Sequence, residues 1–119
     1  MSDYRELEVW EKSMLLAEAV YDLTVDFPKE EIYGLTNQMR RAAVSVFSNI
    51  AEGHGRRSDK EFVYFLRIAR GSASEVQSQL FFSSRRKYGN PEYTAALIEE
   101  YERLKRMLWG LIQNLEVPK

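Results

Sequence analysis

The residues of this chain best suited to chemistry are ten bases crowded into its middle: Arg40, Arg41, Arg56, Arg57, Lys60, Arg67, Arg70, Arg85, Arg86 and Lys87. Eight are arginines, whose planar guanidinium fork fits phosphate bidentately, and clustered bases release counterions on meeting a polyanion. The chemistry they offer is recognition of phosphate, with no bond made or broken. Each cluster also has a plain structural explanation. Bases at Arg85–Arg86–Lys87, ahead of the breaker Gly89-Asn90-Pro91, suit the negative end of a helix dipole. Arg40 and Arg41 sit about 100° apart around a helix. One of them can therefore pair with Glu75 across a hairpin while the other faces solvent, a neighbouring copy or a ligand.

Reaction chemistry finds no comparable set. His54 is the one histidine and there are no cysteines, which removes disulfides, thiolate catalysis and the common zinc sites together. No serine sits in a nucleophile-elbow context. Glu52 and Glu75 fall at different heights of any helical hairpin, so they form no catalytic pair. The Glu-x-x-His ligands of di-iron bundles are missing too. The sequence predicts a protein that is not an enzyme, with no catalytic residue, no metal and no cofactor.

The net charge of −1 conceals an uneven distribution. Residues 1–31 carry nine acids and three bases, whereas residues 32–87 carry four acids and ten bases. Such a reversal points either to an anionic partner for the basic part or to neutralisation of that part by the acidic first helix within the fold. No window reaches the roughly 18 apolar residues a membrane span needs, and the acidic start is unlike a signal peptide. Absence of cysteine fits a reducing compartment. The expectation is a single cytoplasmic domain over residues 1–119, with residues 116–119 fraying and no membrane partner.

The elements that must hold these residues are helices, because apolar positions recur at steps of three and four and strict alternation is absent. Helix 1 is predicted from about Leu7 to Val25, with Trp10, Ser13, Ala17, Val20 and Thr24 on its inner stripe; Phe27-Pro28 ends it. Helix 2 follows Gly34 and buries Leu35, Met39, Ala42, Val46 and Asn49, with Ala43, Phe47 and Ile50 alongside; Gly53 and Gly55 mark its end. Ser58 with Glu61 reads as the capping box of helix 3. That helix carries Phe62, Leu66, Ala69, Ala73, Val76 and Leu80, flanked by Phe65, Ile68, Ser72, Glu75, Gln79 and Phe82, and stops near Lys87–Tyr88. Helix 4 starts at Pro91 and presents Leu97, Tyr101, Leu104, Leu108, Leu111 and Leu115 as a heptad seam. Short connections make this an all-α, antiparallel up-down-up-down four-helix bundle.

Within it, Asn49, Ser72, Glu75 and Gln79 are polar residues on or beside apolar stripes, and read as a network fixing helix register or subunit pairing. Gly71, in mid-helix, predicts a close helix crossing against Ala43–Val44. The aromatic doublets Tyr64–Phe65 and Phe81–Phe82, with Trp109, exceed what one small core can hold. Tyr64, Phe81, Phe82 and Trp109 are therefore expected at an oligomer interface.

The run from Arg40 to Leu80 resembles a known family. The pieces Gly34-Leu35, Arg40-Arg41-Ala42, Asn49-Ile50-Ala51-Glu52-Gly53, Gly55-Arg56 and Gly71-Ser72 with Glu75, Gln79 and Leu80 are similar to the bacterial 23S rRNA intervening-sequence (S23) proteins. The opening Leu7–Ala17 is of the same type. Phe47 departs from the pattern, which has a proline before Ser48-Asn49. The resemblance implies a four-helix bundle forming a homopentameric ring, encoded in insertions of large-subunit ribosomal RNA genes or free in genomes, with no settled biochemical role. A related bundle is the accessory variability protein of retroelements, beside a reverse transcriptase and RNA. The implied motif residues are Asn49, Glu52, Gly53, Gly71, Ser72, Glu75 and Gln79. Together these readings predict a self-associating helical module with RNA as a candidate partner through its arginines; the alternatives are an accessory subunit docking a nucleic-acid enzyme and, disfavoured, an enzyme.

Overall fold

A computed structural model describes residues 3–118. Four helices form it: α1 (Glu8–Thr24), α2 (Leu35–His54), α3 (Asp59–Arg85) and α4 (Pro91–Glu116), with single 3-10 turns at Tyr4–Glu6 and Lys29–Glu31. No strand occurs among the described residues. α1 and α3 each lie against α2 and α4, while the diagonal pairs do not touch, so the helices occupy the corners of a square rod 50 × 22 × 19 Å. The direction alternates from helix to helix, and α1 and α3 therefore run the same way. The expected helices all form within one or two residues of their predicted bounds. α4 stays helical through Glu116, and Lys119 lies outside the described residues.

Punctuation follows side-chain chemistry. The Ser58 hydroxyl accepts the Glu61 N–H at 3.2 Å, although Glu61 answers the hydroxyl and not the Ser58 backbone. The full reciprocal capping box stands at Asp3 and Glu6, ahead of α1. Asn90 accepts the Tyr93 N–H at 2.9 Å and Pro91 opens α4, as its fixed φ favours. α3 ends with Tyr88 N–H donating to the Ser83 carbonyl, a closure that puts Lys87 at φ 60. A left-handed lysine there costs roughly 1 kcal/mol that glycine would avoid.

The core runs the length of the rod through Val20, Met39, Val46, Ile50, Leu66, Val76, Leu80, Tyr101, Leu104 and Leu108. On α4 the predicted seam holds as far as Leu108. Ile112 then takes the buried place while Leu111 and Leu115 are half-buried. A straight helix drifts by about 20° per heptad, so with each heptad a strict 4-3 seam turns further from the core-facing line.

Two glycine readings are corrected by packing. Gly53 does not end α2: it is buried inside the helix, where an added Cβ would lie 2.6 Å from Phe65 Cβ and 3.2 Å from the Phe62 carbonyl oxygen. Gly55 caps α2 with φ −80, an ordinary helical value. Gly71, by contrast, has nothing within 4 Å of an added Cβ and is exposed. The close crossing belongs to Gly53, with Ala42, Ala43, Ala69 and Ala73 buried further along α2 and α3, while a Cβ at position 71 would meet open space.

Candidate functional site

α2 and α3 meet along a shallow groove whose polar lining comes from the fourth-and-third positions just outside each core stripe. Ser45 and Ser72 face each other with hydroxyls 2.9 Å apart, and the Asn49 amide donates to the Ser45 carbonyl at 2.9 Å and hydroxyl at 3.0 Å. Further up α3, the Gln79 amide reaches Glu75 at 3.4 Å. Tyr33, Asn37, Gln38, Arg41, Ser72 and Glu75 line about 440 Å3 of this groove. The structure thus brings Asn49, Ser72, Glu75 and Gln79 onto one face, as a polar network at the surface. Glu52 and Gly53 sit towards the lower end of α2, and Gly71 lies off the groove on the open side of α3.

The expected Arg–Glu75 pair is absent: among the described residues no base lies within 4 Å of Glu75. Arg40 points to the other side of α2, donating to Thr24 Oγ1 at 2.9 Å and stacking 4.6 Å above the Tyr21 ring. Arg41 enters the groove near Glu75 without forming an ion pair. The helical angle between adjacent residues, about 100°, sends the two arginines to different neighbours.

The other bases divide into engaged and unengaged. Arg56 pairs with Glu52 at 2.8 Å and covers the Phe65 ring. Arg67 holds Glu116 at 2.9 Å. Arg70 donates to the Lys105 carbonyl at 3.3 Å with its guanidinium 5.5 Å from the Trp109 ring centre. A hydrogen bond to Tyr88 holds the Arg86 guanidinium above its ordinary pKa. Arg57 and Lys60 at one end of the rod, and Arg85 and Lys87 at the other, have no acid within 4 Å among the described residues. Neither do the α1 acids find cations: Glu8, Glu11, Glu18 and Asp22, with Asp26 just beyond the helix, are exposed and unpaired in the same sense. No ion pair joins the acidic first helix to the basic hairpin among the described residues: α3 stands at the opposite corner, and Arg40 of α2 meets Thr24 and Tyr21 of α1 and no acid within 4 Å.

One polar cluster escaped the sequence reading. Gln77 donates to the Ile98 carbonyl and to Glu102, and accepts from Lys105 at 3.1 Å, tying α3 to α4. The Gln77 hydrogen bond, then Lys105, keeps the Glu102 carboxyl below its ordinary pKa. Its only signal was a glutamine one position off the apolar stripe.

The surplus aromatics stand in the open. Tyr64, Phe81, Phe82 and Trp109 are 62%, 55%, 52% and 42% exposed. Tyr64, Ile68 and Phe82 share the outermost line of α3. His54 ends α2 with its ring edge-on to Phe62, 5.8 Å between centroids. Among the described residues no three His, Cys, Asp or Glu side chains gather as a metal site, and no helix is long and apolar enough to cross a membrane.

Residues 5–110 match the family model of the 23S rRNA-intervening sequence protein. The chain belongs to that family. Its bundle is similar to the crystal structure of an S23 ribosomal protein family member of unknown function from Bacteroides thetaiotaomicron VPI-5482. That likeness has a TM-score of 0.78 at 23% identity and covers 88% of this chain and 98% of the other. The match extends to the fold. No curated protein matches the sequence. In this member of the 23S rRNA-intervening sequence family Phe47, before Ser48, packs edge-on against Trp10 at 6.5 Å while α2 runs unbroken.

Proposed function

We propose that this chain is a non-enzymatic helical module that works by assembling with copies of itself, in a ring of five as its family resemblance implies. The observation that carries this reading is the outer line of α3. Tyr64, Ile68 and Phe82 recur there at helical spacing, all exposed, beside a polar groove whose members bond to one another more than to the core. Large apolar side chains aligned on one helix and rimmed by polar residues mark a protein interface. Sedimentation of a Tyr64→Ser/Phe82→Ser variant tests it: helicity is retained and the assembly falls to the 14.0 kDa monomer. An unchanged mass would refute the assignment of that face.

A second activity, contact with RNA, is supported by the two unpaired basic ends. Arg57 with Lys60, and Arg85 with Lys87, are repeated around the rim of any ring, and multivalency raises weak phosphate contacts to useful affinity. Lys87 is held in the backbone conformation glycine prefers, and its exposed charge stands there in spite of that backbone cost. Binding of a structured RNA should fall steeply with salt, and less steeply once Arg57 and Lys60 become glutamine; salt-independent binding would refute it.

A further inference from the structure

The unpaired acids of α1 and the unpaired arginine of the α2–α3 groove lie at matching heights in the rod. The outer stripe of α1 is Glu11, Leu15, Glu18, Asp22 and Val25, all exposed, at alternating steps of four and three. Its axial level against α2 is set by the pockets they share. Met14 lies beside Phe47, and Ala17, Glu18 and Asp22 lie with Val44. That puts Leu15 level with Ser45, and therefore with Ser72, its hydrogen-bonded partner on α3. It puts Glu18 and Asp22 on either side of the level of Arg41. Val25 falls near the level of Leu35 on α2 and Phe82 on α3.

We infer that α1 of one copy seats its outer stripe in the α2–α3 groove of the next. Leu15 would enter the dip left by the two serines, Arg41 would lie between Glu18 and Asp22, and Val25 would cover Phe82. This rests on the self-association reading above and names its interface. Charge complementarity and symmetry favour a second copy as the occupant. Arg41, the base that lines the groove, has no acid within 4 Å among the described residues, and Glu11, Glu18 and Asp22 form an exposed row on α1 that is likewise without a cation within 4 Å. Rotation about an axis along the rod keeps every copy pointing the same way, which preserves the levels just described. A two-fold contact through α1 would set acids against acids, so the complementary arrangement is head-to-tail, the kind that closes rings. Arg41 between Glu18 of the neighbour and its own Glu75 would also balance the one like-charge approach, since Glu75 lies at the level of Glu18.

The chain has no cysteine, which permits a direct test. Leu15→Cys and Ser72→Cys are made separately, mixed, allowed to exchange subunits and oxidised. A disulfide-linked dimer forming in the mixture, and in neither variant alone, is the expected result. Linkage of Leu15→Cys to itself, or no linkage while the mixture sediments as an oligomer, overturns the inference and leaves self-association standing. A monomeric wild type overturns both. As a second arm, Arg41→Glu should abolish assembly, and adding Glu18→Arg with Asp22→Arg should restore it. Assembly indifferent to all three would equally sink the proposal.

Discussion

Two glycines of the central hairpin, Gly53 and Gly71, have opposite surroundings. At Gly53 the backbones of α2 and α3 come so near that the first carbon of any side chain would overlap Phe65 Cβ, an atom fixed to its own helix. At Gly71 the space is empty to 4 Å. The first glycine is explained within one chain. The second, in mid-helix, costs about 1 kcal/mol relative to alanine with no compensating contact. The lower end of the hairpin is therefore a packing device, while the outer face of α3 at Gly71 is left open by the single bundle.

The largest effect that sharpens this contrast is Gly53→Ala. Overpacking against a carbon that cannot swing away should destabilise the bundle by about 2 kcal/mol, read as a lower midpoint in urea. A neutral result would mean the helices separate freely there. Next, Gly71→Ala should stabilise the isolated bundle by about 1 kcal/mol. A loss of stability measured under monomeric conditions would show that α3 needs the glycine for itself. Lys87→Gly should raise stability by a similar amount, roughly 1 kcal/mol, by relieving the left-handed lysine, and should weaken RNA binding in the same protein. Unchanged stability would deny the strain.

The smallest effect lies on the α1–α4 side. Lys12 pairs with Glu100 at 2.6 Å, and that hydrogen bond lowers the Glu100 pKa from its ordinary 4.5. A lowered carboxylate contributes stability that is full above the unfolded value and is lost as pH falls through the folded one. Lys12→Met should therefore melt slightly below wild type at pH 7, with the two converging in acid once Glu100 is protonated in the folded state as well. A gap that widens in acid would contradict the pairing. Both groups are partly exposed, which keeps the expected difference within the range of a surface ion pair, below about 1 kcal/mol.

What the sequence discloses follows from which forces are local. Helix spans, the Ser58 and Asn90 caps, the Pro91 start and the inner stripes were legible because each depends on residues three or four apart. The exposure of Tyr64, Phe82 and Trp109 was legible too, since adjacent aromatics cannot share one narrow core. Partners across helices were not. Spacing alone could not tell that Gly53 and not Gly71 marks the crossing, because that depends on which helix face turns towards the neighbour. The pair expected between Glu75 and one of Arg40 and Arg41 fails for the same reason: Arg40's direction around α2 leads to Tyr21 and Thr24 on α1, while Arg41 lines the groove without an ion pair. Gln77 and its links to Glu102 and Lys105 required the α3–α4 register, which no local pattern encodes. Asn49, Ser72, Glu75 and Gln79 were legible as polar residues beside the apolar stripes, and in the fold Asn49 bonds Ser45, which faces Ser72, while Gln79 reaches Glu75.

The account depends most on the outer face of α3 and its groove being covered by another copy. The mass of the unaltered protein in dilute solution, by light scattering across a range of concentrations, tests that directly. A finite multiple of 14.0 kDa that persists on dilution is the predicted result. A particle of 14.0 kDa at every concentration would contradict it.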